Sequence, residues 1–468
     1  MRLPVLMAGF LPLVVGCAVG PTYRTPKSDV PAQWNVPLSG GERGQPADIS
    51  QWWRSFGDAE LDALVQQAVQ SNFTVRIAES RVREARAERA VVAGGLWPSV
   101  GSSVGYSRNR YGGNGFPPLP PGTPLDYNLY SAGFDASWEL DVFGGTRRAV
   151  EEASDEVGAV QFGERDVLIS LLAEVGRNYI EVRGYQERLA IARRDIWVQS
   201  DILELTRSRF RSGLSGALDV EQARALLTST KAEVPPLETA LDEAVHHLGV
   251  LLGEPPDTLM KELAVTRPIP LTPPVVPVGL PADLLERRPD VRRAERELAV
   301  ATARIGVAKA DLFPQFSLTG FAGVDSTSGS NWLDYASRFW SVGPTLRWDL
   351  FEAGRIRANV RVQTARQAAA LDAYQQVVLV ALEETENALV SYAKEQTHRK
   401  LLSQTVDADQ QALELSTQLY RAGLVDFLRV LDSERSLYAA QDALSRSDQS
   451  ISLDLVQLYK ALGGGWGA

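Results

Sequence analysis

The chain has 468 residues, 44% of them apolar and 23% charged, with a formal net charge of -10. That composition belongs to a folded protein, and its sign excludes a nucleic-acid partner. One cysteine and three histidines, His246 and His247 adjacent and His398 alone, leave no pair for a disulfide and no ligand set for a metal centre.

Met1 and Arg2 precede an apolar run from Leu3 to Val15, too short to cross a bilayer but suited to a secretory signal over residues 1–16. Leu13-Val14-Val15-Gly16-Cys17 resembles a bacterial lipobox, in which the cysteine is lipidated and becomes the mature N-terminus. Ala18 stands where an aspartate would, by family resemblance, retain a lipoprotein in the inner membrane, so an outer-membrane destination is expected. The only cofactor expected is covalent lipid on Cys17.

Residues 17–57 form an arm rich in proline and glycine up to Ala47, ended by Trp52, Trp53 and Phe56. A first repeat spans 58–252. Asp58 is a candidate N-cap for a helix carrying Leu61, Leu64, Val65 and Ala68, and a second helix follows from Phe73 to Val92. After Pro98 the period changes to two. Val100, Val104 and Tyr106 alternate with Gly101, Ser103 and Gly105; Tyr130, Ala132, Phe134, Ala136, Trp138 and Leu140 alternate with Ser131, Gly133, Asp135, Ser137 and Glu139. One bulky apolar face and one small or charged face is the pattern of a membrane barrel strand, and also of a half-buried soluble sheet. No apolar run after the signal is long enough for a membrane helix, so any span must be a closed barrel.

A helix of some 65 residues, roughly 100 Å, is predicted from Arg147 to Arg211, with Val175, Val182, Leu189, Ile196, Leu203 and Phe210 seven apart. It ends at a tip, about 211–219, where Gly213 suits the left-handed position and Asp219 with Gln222 is a usable capping pair. The returning helix, Asp219 to Leu252, is interrupted by Pro235-Pro236, which should bend it.

Residues 253–288 form a proline-rich linker, and a second repeat spans 289–462, with 463–468 as a tail. Its strands, about 314–350, alternate Phe316, Leu318 and Val324, then Trp340, Val342, Leu346 and Trp348 against Ser341, Gly343, Thr345, Arg347 and Asp349. The corner Trp348 to Gly354 answers Trp138 to Gly144, and the tip Tyr420-Arg421-Ala422-Gly423-Leu424, within 421–427, answers Phe210-Arg211-Ser212-Gly213-Leu214, all at one offset of 210. Two landmarks at one offset mark an internal two-fold duplication. Four strands cannot close a barrel, for which about eight are needed, so several chains must contribute.

From Gly279 through Arg287-Arg288-Pro289-Asp290-Val291, Ala303-Arg304-Ile305-Gly306-Val307 and Phe313-Pro314, the sequence resembles the TolC-type outer-membrane efflux factors in their lipoprotein, NodT-like branch. Cys17 to Tyr23, Trp52-Trp53 and Leu251-Leu252-Gly253-Glu254-Pro255-Pro256 fit the same family. The resemblance implies an α+β membrane protein: a homotrimer with a 12-stranded β-barrel, four strands per chain, continued by a long α-helical barrel in the periplasm. It further implies a periplasmic adaptor and an inner-membrane pump of the resistance-nodulation-division class as partners.

The expected function is the outer-membrane channel of a tripartite efflux pump, a passive export duct for small molecules. The alternative is a lipid-anchored periplasmic coiled-coil scaffold that conducts nothing. No enzyme is expected, since no convergent His, Ser or paired carboxylates stand in a recognisable setting. The resemblance places Gly213, Leu214, Ser215, Gly423, Leu424 and Val425 at adaptor-contact tips, although each leucine packing back on its own helix is the plainer alternative. It also places Leu428 and Asp432 at the periplasmic aperture. The aligned Asp219 and Arg429 carry opposite charge, where many relatives have aspartate at the second position; Arg429 either pairs with Asp219 or Asp432 and latches the tips, or is solvated.

Overall fold

The computed structural model describes residues 18–27, 29–36, 42–43, 48–112, 120, 122–270, 272–273 and 275–466. The signal segment and Cys17 lie outside the described residues. In chain order the elements are β1 (Glu42–Arg43), α1 (Ala59–Ser71), α2 (Phe73–Gly94), β2 (Ser99–Arg110), β3 (Asp126–Leu140), α3 (Gly145–Arg211) and α4 (Ala217–Leu251). They continue with β4 (Val276–Pro277), α5 (Leu284–Arg287), α6 (Pro289–Ala310), β5 (Gln315–Ser326), β6 (Arg338–Arg347), α7 (Arg355–Arg421) and α8 (Phe427–Ala461). Two compact units result, and each draws on both repeats. One holds residues 18–26, 82–160 and 294–374, the other 27–81, 161–293 and 375–466.

The first unit carries an antiparallel sheet in the order β2-β3-β5-β6. The register puts the even-numbered residues of all four strands on one face, where Val104 pairs with Ala132, Trp138 with Leu318 and Gly320 with Val342. Val100, Val104, Tyr106, Phe134, Trp340, Val342 and Leu346 of that face are exposed large apolar side chains. Aromatic residues mark both ends. Trp138 Nε1 donates to Leu96 O at 2.9 Å and Trp348 Nε1 to Leu312 O at 3.2 Å, while at the other end Tyr106 packs on Tyr130 and Tyr111 stacks on Tyr127. Phe143 and Phe313 stack at 4.6 Å, joining the corner after β3 to the entry of β5.

Ala18, Val19 and Gly20 lie against the corner after β3. Val19 N donates to Phe143 O at 3.1 Å, and the buried Arg148 donates to Val19 O at 3.1 Å. Gly20 and Gly306 meet backbone to backbone: a methyl group on Gly20, whose φ is 101°, would fall 2.5 Å from Gly306 Cα.

In the second unit, Trp52 is buried and stacks on Tyr459 at 5.5 Å, above Gly176, where a side chain would meet the indole at 2.9 Å. Asp58 caps α1 by accepting from Glu60 N and Leu61 N. Arg183, fully buried, is paired with Glu60 and donates to Gln186 and to Val265 O at 2.9 Å. The Arg287-Arg288-Pro289-Asp290 motif is a staple for the chain's end. Buried Arg288 reaches Asp290 (2.6 Å), Glu384 (2.7 Å) and Ala461 O (3.0 Å), and Trp466 Nε1 donates to Arg287 O. Burial opposes charge on Asp290, but the Arg288 hydrogen bonds and charge hold its carboxyl below the usual range.

Three expectations change. The helix α4 continues through Pro235 and Pro236 instead of being interrupted; the carbonyls they deprive belong to Lys231 and Ala232, which are exposed and open to water. Asp219 is not the residue that opens α4, which begins at Ala217 with Gly216 as its cap. The buried seam of Val175, Val182, Leu189 and Leu203 does not extend to Phe210, which is exposed because the hairpin ends there.

Candidate functional site

The two tips have one backbone. At the first, Gly213 has φ 72°, its N–H donates to Phe210 O at 3.0 Å, and Leu214 N donates to Arg209 O at 2.9 Å. At the second, Gly423 has φ 75°, its N–H donates to Tyr420 O at 3.0 Å, and Leu424 N donates to Leu419 O at 2.9 Å. This pair of bonds closes a helix whose next residue is left-handed, a conformation that glycine adopts without steric cost. Gly253 (φ 72°) and Gly463 (φ 75°) end the returning helices with the same bonds, and Gly144 (φ 79°) and Gly354 (φ 83°) turn the two strand-to-helix corners. Each pair keeps the 210 spacing.

The ends of α3, α4, α7 and α8 share one apolar cluster: Leu203, Ala223, Leu226, Leu227, Tyr420, Phe427, Val430 and Leu431, with Val220, Leu413 and Val425 packed against it. The cluster brings both tips side by side. Tyr420 and Phe427 lie 5.6 Å apart, and the Arg209 guanidinium stands 4.6 Å over the Tyr420 ring.

Leu214 is 66% exposed and Leu424 72%. Neither leucine has packed back on its helix, whereas Val425 has joined the cluster. Ser215 Oγ donates to Thr206 O at 3.3 Å. Leu428 is 48% exposed and shares an outward face of α8 with exposed Asp432.

The charges at the tips are used locally. Asp219 Oδ2 accepts from Gly216 N at 3.2 Å, a carboxylate in the first turn of α4 reaching back to the cap. In the second tip Asp426 is itself the cap, and its Oδ1 accepts from Arg429 N at 3.3 Å. The Arg429 side chain is exposed, and among the described residues of one chain no ion pair joins it to Asp219 or Asp432.

Sequence reasoning missed two buried carboxyl groups behind the second tip. Glu434 is 2% exposed, on the α8 stripe that carries Phe427, Val430, Leu431 and Leu437, and its Oε2 has no protein partner. Burial, then the nearby Asp195 charge, pushes its carboxyl up to about 7. Asp195 on α3, also buried, is pushed up to about 6 by burial, with Arg194 opposing and Glu233 adding. Gln199, one turn along α3, is buried with both amide atoms unpartnered. The i, i+3 position of Glu434 on an apolar stripe was the available signal.

The family model for outer membrane efflux proteins matches residues 64–254 and again 280–464. The pyoverdine export outer membrane protein OpmQ of Pseudomonas aeruginosa is 33% identical over 461 residues, covering 97% of this chain and 95% of that one. Nodulation protein T of Rhizobium leguminosarum bv. viciae is 31% identical, covering 99% and 94%. Among solved structures, the outer-membrane channel OprN superposes with a TM-score of 0.89 at 37% identity, over 96% of this chain and 100% of that one. The open state of the Neisseria gonorrhoeae MtrE outer membrane channel superposes with a TM-score of 0.81 at 27% identity, over 96% and 99%.

Proposed function

The chain belongs to the outer membrane efflux protein family, and we propose that it is the outer-membrane duct of a three-component pump, passing small molecules delivered through a periplasmic adaptor from a resistance-nodulation-division pump. The observation that carries this reading is the four-stranded sheet. Its even face is apolar and exposed, aromatic side chains gird both ends, and β2 and β6 each have one unpaired edge. An exposed apolar face belongs in lipid, and lipid tolerates no open edge, so copies must join edge to edge. Three copies give twelve strands, within the range of known barrels. The 210 spacing of corners, tips and helix ends supports a duplicated chain.

The lipid anchor fits the same arrangement. Ala18, the residue after Cys17, lies against Gly144 at the foot of β3, where a methyl on Gly144 would meet Ala18 Cα at 2.7 Å. Anchor and barrel are separate devices, so Cys17→Ser chains should still form trimers.

At the helix tips, Leu214 and Leu424 offer apolar contacts to an adaptor, and Leu428 with Asp432 forms the closing ring of a trimer. Because Arg429 makes no ion pair with Asp219 or Asp432 among the described residues of one chain, an Arg429 latch would be made to a neighbouring chain. Purified protein should run as a heat-modifiable trimer and pass ions in planar bilayers; trimers that conduct nothing would favour the scaffold reading instead.

A further inference from the structure

Two phenylalanines stack on the polar face of the sheet, away from the end where Tyr127 and Leu129 stand. Phe321 and Phe339 occupy odd-numbered positions among Thr319, Gly323, Ser341 and Gly343. Their rings stack with centroids 4.9 Å apart and planes within 15°, and Phe339 is exposed. The strands make room for this pair. A methyl group on Gly133 would lie 2.8 Å from Phe321 Cζ, and one on Gly323 would lie 3.1 Å from Phe321 Cε1, so the ring rests over a glycine of the neighbouring β3 and one of its own strand.

A carboxylate stands next to the pair. Asp135 is the cross-strand partner of Phe321, and its carboxylate lies over Gly101, where a methyl would meet Oδ1 at 2.8 Å. Glu139 and Asp325 share this face. The sheet's ion pairs, Arg110–Asp126 and Arg347–Asp349, use none of these three.

We infer that the Phe321–Phe339 stack, with Asp135 beside it, is a lumenal resting site for flat aromatic cations, the class of cargo that a π face and a carboxylate together recognise. The inference rests on reading the polar face as the wall of the duct. Around the pair the wall is serine, threonine, glycine and carboxylate, so the two rings are the apolar surface on which such a molecule can lie there; Leu129 and the Tyr111–Tyr127 stack share the face at the outer end of β2 and β3. The ring face attracts both its π surface and its charge, and a site of one stacked pair holds cargo weakly enough to release it, as conduction requires.

Ethidium is a suitable probe, its fluorescence reporting binding to the detergent-solubilised full-length trimer, with ion conductance of the same preparation in planar bilayers as control. Phe321→Ser with Phe339→Ser should weaken ethidium binding about tenfold, and Asp135→Asn by a smaller factor. Should the serine pair disturb the strands, Phe321→Leu with Phe339→Leu keeps the apolar volume and removes the π faces, and the same loss is expected. Unchanged ethidium affinity in conducting leucine-pair trimers overturns the site and leaves the duct standing. Wild-type trimers that pass no ions overturn the duct, and the site with it.

Discussion

The first tip holds its capping carboxylate inside the helix, at Asp219, and reaches back to Gly216 N; the second, 210 residues on, holds it at the cap, Asp426, and reaches forward to Arg429 N. The first has Phe210 exposed and Ala217 at the helix start, where the second buries Tyr420 and Phe427 in the shared cluster. One backbone thus carries two tasks: the second tip supplies the apolar pin, and moving its cap to Asp426 frees position 429 to become a cation. Leu214 and Leu424 are what the tips have kept in common.

The largest effect should come from removing that common feature. If the exposed leucines are the adaptor's contacts, Leu214→Asp combined with Leu424→Asp should abolish efflux while folded trimers remain in the membrane. Crosslinking to the adaptor at the wild-type level would sink the docking role.

Erasing the difference in the pin is next. Phe427→Ala gives the second tip the alanine that the first already has and should cost about 3–5 kcal/mol locally, read as faster hydrogen exchange in the first turns of α8. Protection equal to wild type would mean that the cluster does not hold the tips.

The buried carboxyl groups give a pH signature. A carboxyl raised to about 7 in the fold keeps its proton where the unfolded chain has lost it, so the contribution of Glu434 to stability falls as pH rises from about 4.5 to 7. Glu434→Gln should protect the tip amides by up to about 3 kcal/mol at pH 8 and by little at pH 4. A gain of equal size at both pH values would show that ionisation of Glu434 is not what costs.

Much of this was legible in the sequence. The alternation of 130–140 and 340–348, the left-handed glycines and the Asp58 cap all follow from local rules, and each stands where the residues put it. What escaped needed a neighbour. Whether Asp219 or Gly216 opens α4 is a choice between positions of nearly equal energy, and the buried state of Glu434 depends on α3 arriving opposite it. The strand pattern gave Phe321 no meaning until the register set it over Gly133 and Gly323.

The smallest structural effect, with a functional consequence, belongs to the charge that distinguishes the tips. Arg429→Glu should change stability by less than about 1 kcal/mol, since the side chain is exposed. It should nevertheless raise conductance and vancomycin entry if Arg429 latches neighbouring chains, and adding Asp219→Lys should partly restore closure if Asp219 is the partner. Equal leak in wild type and variant trimers would leave closure to Leu428.

The central claim, that one face of the sheet meets lipid and the other a water-filled lumen, is tested most directly by cysteine labelling along β6 in the outer membrane of intact cells. A membrane-impermeant, water-soluble thiol reagent should modify Ser341→Cys, Gly343→Cys and Thr345→Cys and leave Trp340→Cys, Val342→Cys and Leu346→Cys untouched. Labelling of both sets alike would contradict the barrel and return the sheet to water on both faces.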